Sequence, residues 1–184
     1  LNGTGNILVR VILKNVEIKD IIVVPDQEKP DGNFPTCPYP NPEEKAALNL
    51  AVELADKKNA DLVLATDPDA DRVGIAVKTK NGYQLLNGNE TGVLMENYIF
   101  SLRKKTDKTP VFVKTIVTSD MSGDIAKAYG AEVKEVLTGF KYIGETIDQL
   151  TSDEQYVFGM EESYGYLSGT HVRDKDGVNA VLLV

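Results

Sequence analysis

The sequence predicts an α/β protein built as two successive small α/β domains, each a mostly parallel mixed sheet flanked by helices. Three observations carry that expectation. Apolar, β-branched runs alternate with segments of helical periodicity along the chain. An Asn81-Gly82 pair between two such runs marks a hairpin, so at least one sheet is mixed. The length of 184 residues suits one large or two small domains at about 150 residues per domain. A second βα set begins at Asn87-Gly88, which favours two domains, 1–87 and 88–184.

Gly3-Thr4-Gly5 reads as a helix-entry turn, and its glycines would equally let backbone approach a phosphate. Residues 20–24, Asp-Ile-Ile-Val-Val, read as a short buried strand, and the Pro-, Gly- and Asn-rich stretch 25–42 as a long loop. Asn41-Pro42-Glu43-Glu44 has the order cap, first-turn proline, acidic first turn, so a helix is expected to start there. Leu48, Val52 and Ala55 continue it to about residue 59 at helical spacing. Strands are expected at 61–66 and 72–77, with the hairpin leading to 83–86.

The second set opens with a helix over 90–104, where Val93, Leu94, Asn97, Tyr98 and Leu102 form a mixed apolar face. A strand over 111–117 follows, then a helix capped by Ser119 or Asp120 that stops at Gly130. A strand over 132–137, a helix over 140–150 and a strand over 156–158 come next. A last helix opens at Asp176-Gly177.

Composition narrows the function. With 20 basic and 28 acidic residues the net charge is -8, which repels nucleic acid phosphate and argues against a polyanion partner. No apolar run reaches the roughly 20 residues needed to span a bilayer, so no membrane association is expected. The single cysteine, Cys37, excludes an intrachain disulfide and fits a reducing, cytoplasmic setting. The chain starts at Leu1-Asn2-Gly3 and stops within an apolar run, 178–184, whereas natural termini are usually polar. An excised piece with chain missing at both ends is the expectation.

Asp67-Pro68-Asp69-Ala70-Asp71-Arg72 follows the apolar run Leu62-Val63-Leu64-Ala65-Thr66. Ligand sites in open α/β sheets lie at the carboxyl ends of strands. Three carboxylates at alternate positions repel one another unless a hard cation draws their oxygens together, which makes Asp67, Asp69 and Asp71 candidate ligands for magnesium, Mg2+. Arg72 adds a planar fork suited to phosphate. A solvated acidic turn is the bland alternative. An EF-hand requires Gly at position six and Glu at position twelve, where this chain has Arg72 and Lys78. A stand-alone Mg-dependent phosphatase of haloacid-dehalogenase type, with its aspartyl nucleophile after a strand, ranks second because the fifth position of its loop is small or β-branched and here is Asp71.

A second polar loop, Phe158-Gly159-Met160-Glu161-Glu162-Ser163-Tyr164-Gly165, also follows a strand, and its carboxylates and hydroxyl suit vicinal sugar hydroxyls. His171-Val172-Arg173-Asp174-Lys175-Asp176-Gly177 supplies cations downstream. His171, the only histidine, could shuttle a proton or be structural.

Together these segments resemble the α-D-phosphohexomutase family of phosphoglucomutases and phosphomannomutases. D-P-D-A-D-R resembles that family's metal-binding motif, G-M-E-E-S-Y-G its sugar-binding loop and D-K-D-G the segment just after it. L-N-G-T-G from Leu1, P-D-G-N-F-P-T from Pro30 and T-G-F-K from Thr138 match as well, in the right order along nearly the whole chain.

The resemblance implies a four-domain enzyme around a central cleft, of which residues 1–87 would be the metal-binding second domain and 88–184 most of the sugar-recognising third. It implies a phosphoserine in a first domain, which this chain lacks, so the isolated chain is expected to be inactive. Asp67, Asp69 and Asp71 would hold Mg2+, while Arg72 and Lys175 would support the transferring phosphoryl group. Glu161, Ser163, Thr138, Gly139 and Lys141 would bind the sugar. Glu162 would orient backbone or cap a neighbour, and Lys114 is a weaker cleft candidate. The implied partners are a hexose phosphate, glucose 1- or 6-phosphate first, and the missing domains of the same chain.

Overall fold

The structure, a computed structural model, describes all 184 residues. Its first half holds helices α1 (Gly5–Asn15), α2 (Pro25–Glu28) and α3 (Lys45–Lys58) and strands β1 (Leu62–Thr66), β2 (Val73–Thr79) and β3 (Gly82–Leu86). The second half runs α4 (Gly88–Leu102), β4 (Thr109–Thr115), α5 (Asp120–Ala128), β5 (Glu132–Val136), α6 (Phe140–Asp148), β6 (Glu154–Glu161), β7 (Gly165–Ser168) and α7 (Gly177–Leu183). Two sheets flanked by helices confirm the α/β class. None of the helices is long and apolar enough to cross a membrane.

The four-stranded sheet has the order β5-β4-β6-β7, with β4 parallel to both β5 and β6 and β7 antiparallel at its edge. Parallel strands leave their carboxyl ends at one rim, and that rim carries Thr115, Val136 and Glu161. The three-stranded sheet, β1-β2-β3, contains only antiparallel pairs. This corrects the expectation of a mostly parallel first sheet. Residues 20–24, expected as a short buried strand, form no strand and join neither sheet.

Other boundaries also move for identifiable reasons. Asn41 caps a turn rather than the helix, its side chain taking the Glu43 N–H at 3.0 Å, so α3 starts at Lys45. It ends as expected, with Asn59 in the left-handed conformation at φ 56°. The stretch 25–42 is not wholly loop, since Pro25 opens the one-turn α2. Strand β6 continues through Glu161, so only Glu162, Ser163 and Tyr164 turn before β7, a strand too short for the sequence to announce. In α4 the buried positions include Thr91, Gly92, Met95, Glu96 and Phe100, whereas Leu94, Tyr98 and Leu102 are exposed. The apolar face read from the sequence is the outer one. Gly92 explains the switch: a Cβ there would lie 2.1 Å from the Met160 methyl, so α4 packs through its small residues against β6.

One apolar cluster joins both sheets. Val73 and Ile75 of β2 share it with Met95, Phe100, Phe112, Phe158, Met160, Tyr166, Ala180 and Val181. Phe112, Phe158 and Tyr166 stack across β4, β6 and β7 with ring centroids 6.2 and 6.4 Å apart. A second cluster places Ala47, Leu48 and Ala55 of α3 on the other face of the three-stranded sheet, against Val63, Ala65 and Ala76. A third fills the space between the four-stranded sheet and α6.

Candidate functional site

The acidic loop begins where β1 ends. Asp67 is buried, and its Oδ1 takes the Arg72 N–H at 3.0 Å while its carbonyl takes the Ala70 N–H at 3.1 Å. Closing so tight a turn puts Ala70 at φ 61°, the left-handed region that L-residues seldom adopt. The turn returns Asp69 and Asp71 toward Asp67, and carboxylate oxygens of the three lie within 4.8 Å of one another. Burial, reinforced by Asp71 and Asp69 against the opposing Arg72 N–H, pushes the Asp67 pKa up to about 7. Such mutual repulsion among hard oxygen donors is what a divalent cation relieves, so the donor set fits one.

Neighbouring segments hold this loop from both sides. Thr4 donates its N–H to the Pro68 carbonyl at 2.8 Å, and a Cβ on Gly3 would overlap the Pro68 backbone. Asn2 uses its side-chain amide to bind the Asp26 and Lys29 carbonyls at 3.0 Å each, and its Oδ1 takes the Thr36 hydroxyl. The 30–36 stretch is thereby tied to the root of the acidic loop.

The second polar loop meets the first directly. Val73 N–H donates to the Tyr164 carbonyl, Arg72 pairs with Gly165 in an isolated β-bridge, and Gly177 N–H donates to the Ala70 carbonyl at 3.1 Å. Lys175 Nζ lies 2.9 Å from Asp71 Oδ2 and 3.0 Å from Asp174 Oδ1, with the Phe140 ring at 5.8 Å. Burial works against the Lys175 charge, but the bonds to Asp71 and Asp174 outweigh it and raise its pKa above the ordinary lysine value. The stem of Lys175 crosses Gly165, where a Cβ would be 2.4 Å from Lys175 Cδ and 3.4 Å from Glu161 Oε2.

Glu161, the last residue of β6, is 5% exposed, and its Oε1 accepts the Gly139 N–H at 2.9 Å. Burial raises its pKa, with the Gly139 N–H and Lys175 opposing. Gly139 can present that N–H because its φ of 121° turns the backbone ahead of α6. Thr138 is exposed beside it. Lys141 is also exposed and lies over the ring of its neighbour Tyr142 at 4.9 Å. Ser163 sits half-buried at the tip of the turn. Glu162 accepts from the Thr115 and Thr118 hydroxyls at 3.1 and 3.4 Å, anchoring the turn to the rim of β4.

The structure thus brings together Asp67, Asp69, Asp71, Arg72, Lys175, Glu161 and Gly139. Arg72 is more engaged than its sequence suggests: its Nη1 binds Glu43 at 3.2 Å, and its Nε lies 3.8 and 3.9 Å from Asp67 and Asp71. Lys114 stands apart, 2% exposed, bonded to the Thr118 carbonyl and paired with Asp120 and Glu135. His171 Nε2 lies 2.9 Å from Asp176 Oδ2, within the segment that carries Lys175. Sequence reasoning missed Glu43, read as a helix starter, and the glycines that permit the junction. A Cβ on Gly177 would sit 2.7 Å from the Ala70 carbonyl, and one on Gly88 only 1.8 Å from that of Glu162. Nothing short of the three-dimensional approach marks those glycines.

Family comparison bears on the same residues. The model described as "Phosphoglucomutase/phosphomannomutase, alpha/beta/alpha domain II" matches residues 1–82, and that of "alpha/beta/alpha domain III" matches 87–184. A phosphoglucomutase of Staphylococcus aureus (strain MRSA252) is 42% identical over 185 residues, covering 100% of this chain and 33% of the relative. A phosphomannomutase of Mycoplasmoides pirum is 41% identical over 183 residues, covering 99% and 33%. The chain therefore spans about a third of the length of the curated relatives it matches. A crystal structure of a phosphoglucomutase/phosphomannomutase family protein from Burkholderia thailandensis shares the fold, with a TM-score of 0.78 at 18% identity over 98% of this chain and 36% of that one. The open form of parafusin from Paramecium superposes with a TM-score of 0.61 at 23% identity, covering 85% and 26%.

Proposed function

Because the chain belongs to the phosphoglucomutase/phosphomannomutase family, we propose that it is a central piece of an enzyme moving a phosphoryl group between the 1- and 6-positions of a hexose phosphate. In this reading residues 1–87 supply the cation site and 88–184 the sugar-reading loop. A phosphoserine elsewhere in the same protein exchanges the phosphoryl group through a bisphosphorylated sugar. The observation that carries the reading is the joining of the two loops, in which Lys175 touches Asp71 at 2.9 Å while its stem lies against Gly165 and Glu161.

Phosphoryl transfer needs in-line positioning and neutralisation of charge on the equatorial oxygens. Asp67, Asp69 and Asp71 would hold Mg2+, which supplies part of that neutralisation when bound. Lys175, protonated and partly buried, presents a second cation beside it. Arg72 stiffens the loop through Glu43 and Asp67 and contributes positive charge. Glu161 has one oxygen fixed by the Gly139 N–H, leaving Oε2 to accept a sugar hydroxyl, and Ser163 adds a donor nearby. Thr138, Gly139 and Lys141 border the sugar from the β5–α6 turn. A sugar that must bind in two orientations offers its paired ring hydroxyls as the common handle. The adjacent Glu161-Glu162-Ser163 and the Thr138–Lys141 loop favour glucose phosphates over mannose phosphates by analogy. The single buried thiol, Cys37, fits a cytoplasmic enzyme.

The test uses the full-length protein with glucose 1-phosphate and Mg2+, following glucose 6-phosphate by a coupled dehydrogenase. Turnover is expected, and Asp69→Ala should lower kcat by about 100-fold or more. Phosphate release from p-nitrophenyl phosphate by residues 1–184 alone would overturn the reading in favour of a phosphatase of haloacid-dehalogenase type.

A further inference from the structure

The two adjacent carboxylates at the end of β6 reach in different directions. Glu161 takes the Gly139 N–H ahead of α6 at 2.9 Å, while Glu162 reaches the loop between β4 and α5. Successive side chains leave a strand on opposite faces, so neighbours in sequence can grip separate walls. On the Glu162 side the wall is a small polar cluster. The Thr115 and Thr118 hydroxyls lie 2.8 Å apart, and Glu162 Oε2 is 3.1 Å from the first and 3.4 Å from the second. Both threonines are buried. A hydroxyl donates and accepts, whereas a carboxylate only accepts, so Glu162 sets the direction in which the pair donates. The cluster has supports of its own. The buried Lys114 holds the Thr118 carbonyl at 3.0 Å and reaches Asp120 and Glu135 at 3.3 and 3.4 Å. Ser119 N–H donates to Asn89 Oδ1 at 2.9 Å, which ties the same loop to α4. Past Glu162 the backbone turns through Tyr164 at φ 65°, a conformation that persists only where the surroundings hold it. The Tyr164 carbonyl then takes the Val73 N–H, one residue beyond Arg72.

We propose that Glu162 is a positioning residue for sugar binding: its bonds to Thr115 and Thr118 set where Glu161 and Ser163 stand, and it does not itself touch the substrate. The proposal rests on the reading above that the β6–β7 turn meets the sugar of a hexose phosphate. Ser163 lies between two fixed neighbours, Glu162 held through its side chain and Tyr164 through its carbonyl, so the half-buried Ser163 hydroxyl takes its place from them. Glu161 is held at its own carboxylate by Gly139 and from behind by the next residue. Lys114 acts one step further back, since it holds Thr118 and Thr118 holds Glu162. Contacts to sugar hydroxyls form when the substrate binds and persist in the transition state. Loosening them therefore weakens binding more than it slows the bound substrate.

Steady-state kinetics of the full-length protein with glucose 1-phosphate and Mg2+ test this in three variants. Glu162→Ala should raise KM by about 10-fold or more and leave kcat within about 3-fold. Thr118→Val, which keeps the shape and removes the hydroxyl, should raise KM in the same sense. Glu162→Gln keeps an oxygen that accepts from both threonines and should restore KM to within about 3-fold of the unaltered enzyme. A fall in kcat at constant KM, accompanied by a lower denaturation midpoint, would show a merely structural residue and overturn the proposal. So would a Glu162→Gln variant as impaired as Glu162→Ala, because charge rather than the bond would then be acting. Should Glu162→Ala fail to fold, Thr118→Val and Glu162→Gln decide between them. Absence of turnover by the unaltered protein would sink the mutase reading instead. Amide hydrogen exchange then decides whether Glu162 positions the turn. The Gly139 and Val73 amides should exchange about 10-fold faster in Thr118→Val or Glu162→Ala while the Phe112 amide in β4 keeps its rate, and unchanged exchange at Gly139 and Val73 overturns the proposal.

Discussion

Glu96 is the most unusual single residue outside the site. It lies on the inner face of α4 with 0% exposure, and neither carboxylate oxygen has a hydrogen-bond partner. Burial raises its pKa to about 9, so the folded protein keeps it protonated at neutral pH. An unfolded chain releases that proton above about pH 4.5, its ordinary value. Stability from this group is therefore complete below about pH 4.5 and is lost as pH rises toward 9, at up to about 1.4 kcal/mol per pH unit. Glu96→Gln keeps the shape without the titration. Urea unfolding between pH 5 and 8 should show a flatter dependence in the variant, and an unchanged slope would refute the assignment. Lys114 shows the opposite solution to burial, since each of its bonds reaches a carbonyl or a carboxylate.

At the scale of elements, the junction between the loops depends on where backbone meets backbone. Asn87 and Glu90 form a reciprocal cap at the start of α4, so Asn87→Ala should cost about 1 kcal/mol. Gly88→Ala, one position on, should cost more, about 1–3 kcal/mol, because its Cβ would enter the Glu162 carbonyl and push the β6–β7 turn away from the acidic loop. Denaturant midpoints of the two variants check that order. Much of the element map was legible in the sequence, because Asn81-Gly82, Ser119 and Gly130 are local signals that act within a turn. The grouping of Asp67, Asp69 and Asp71 was legible for the same reason, since a tight loop brings alternate residues together. What escaped depends on distant partners. Residues 20–24 look like a strand but join neither sheet. The apolar Leu94, Tyr98 and Leu102 face outward because Gly92 lets the opposite side of α4 settle on Met160. The engagement of Arg72 by Glu43 crosses 29 positions, and no local pattern encodes it.

For the whole molecule, the cluster that joins Val73 and Ile75 to Phe112, Phe158 and Val181 makes the two sheets share one interior. Domains with separate cores can unfold in separate steps, whereas a shared one ties the steps together. Thermal unfolding followed by calorimetry and by near-ultraviolet dichroism should give one coincident transition. Two resolved transitions would mean that the shared cluster contributes little.

Helix α7, at residues 177–183, follows the whole second sheet yet packs back on α1, β1 and β2. During synthesis the first sheet must therefore wait with one face bare while the entire second sheet is made. From Leu86 to Val181 that delay is roughly 5 to 20 s at about 5–20 residues per second. Throughout it Leu62, Leu64 and Ile75 remain open to solvent and to chaperones. The nascent chain is vulnerable to aggregation over just that interval, and the seven residues of α7 end it.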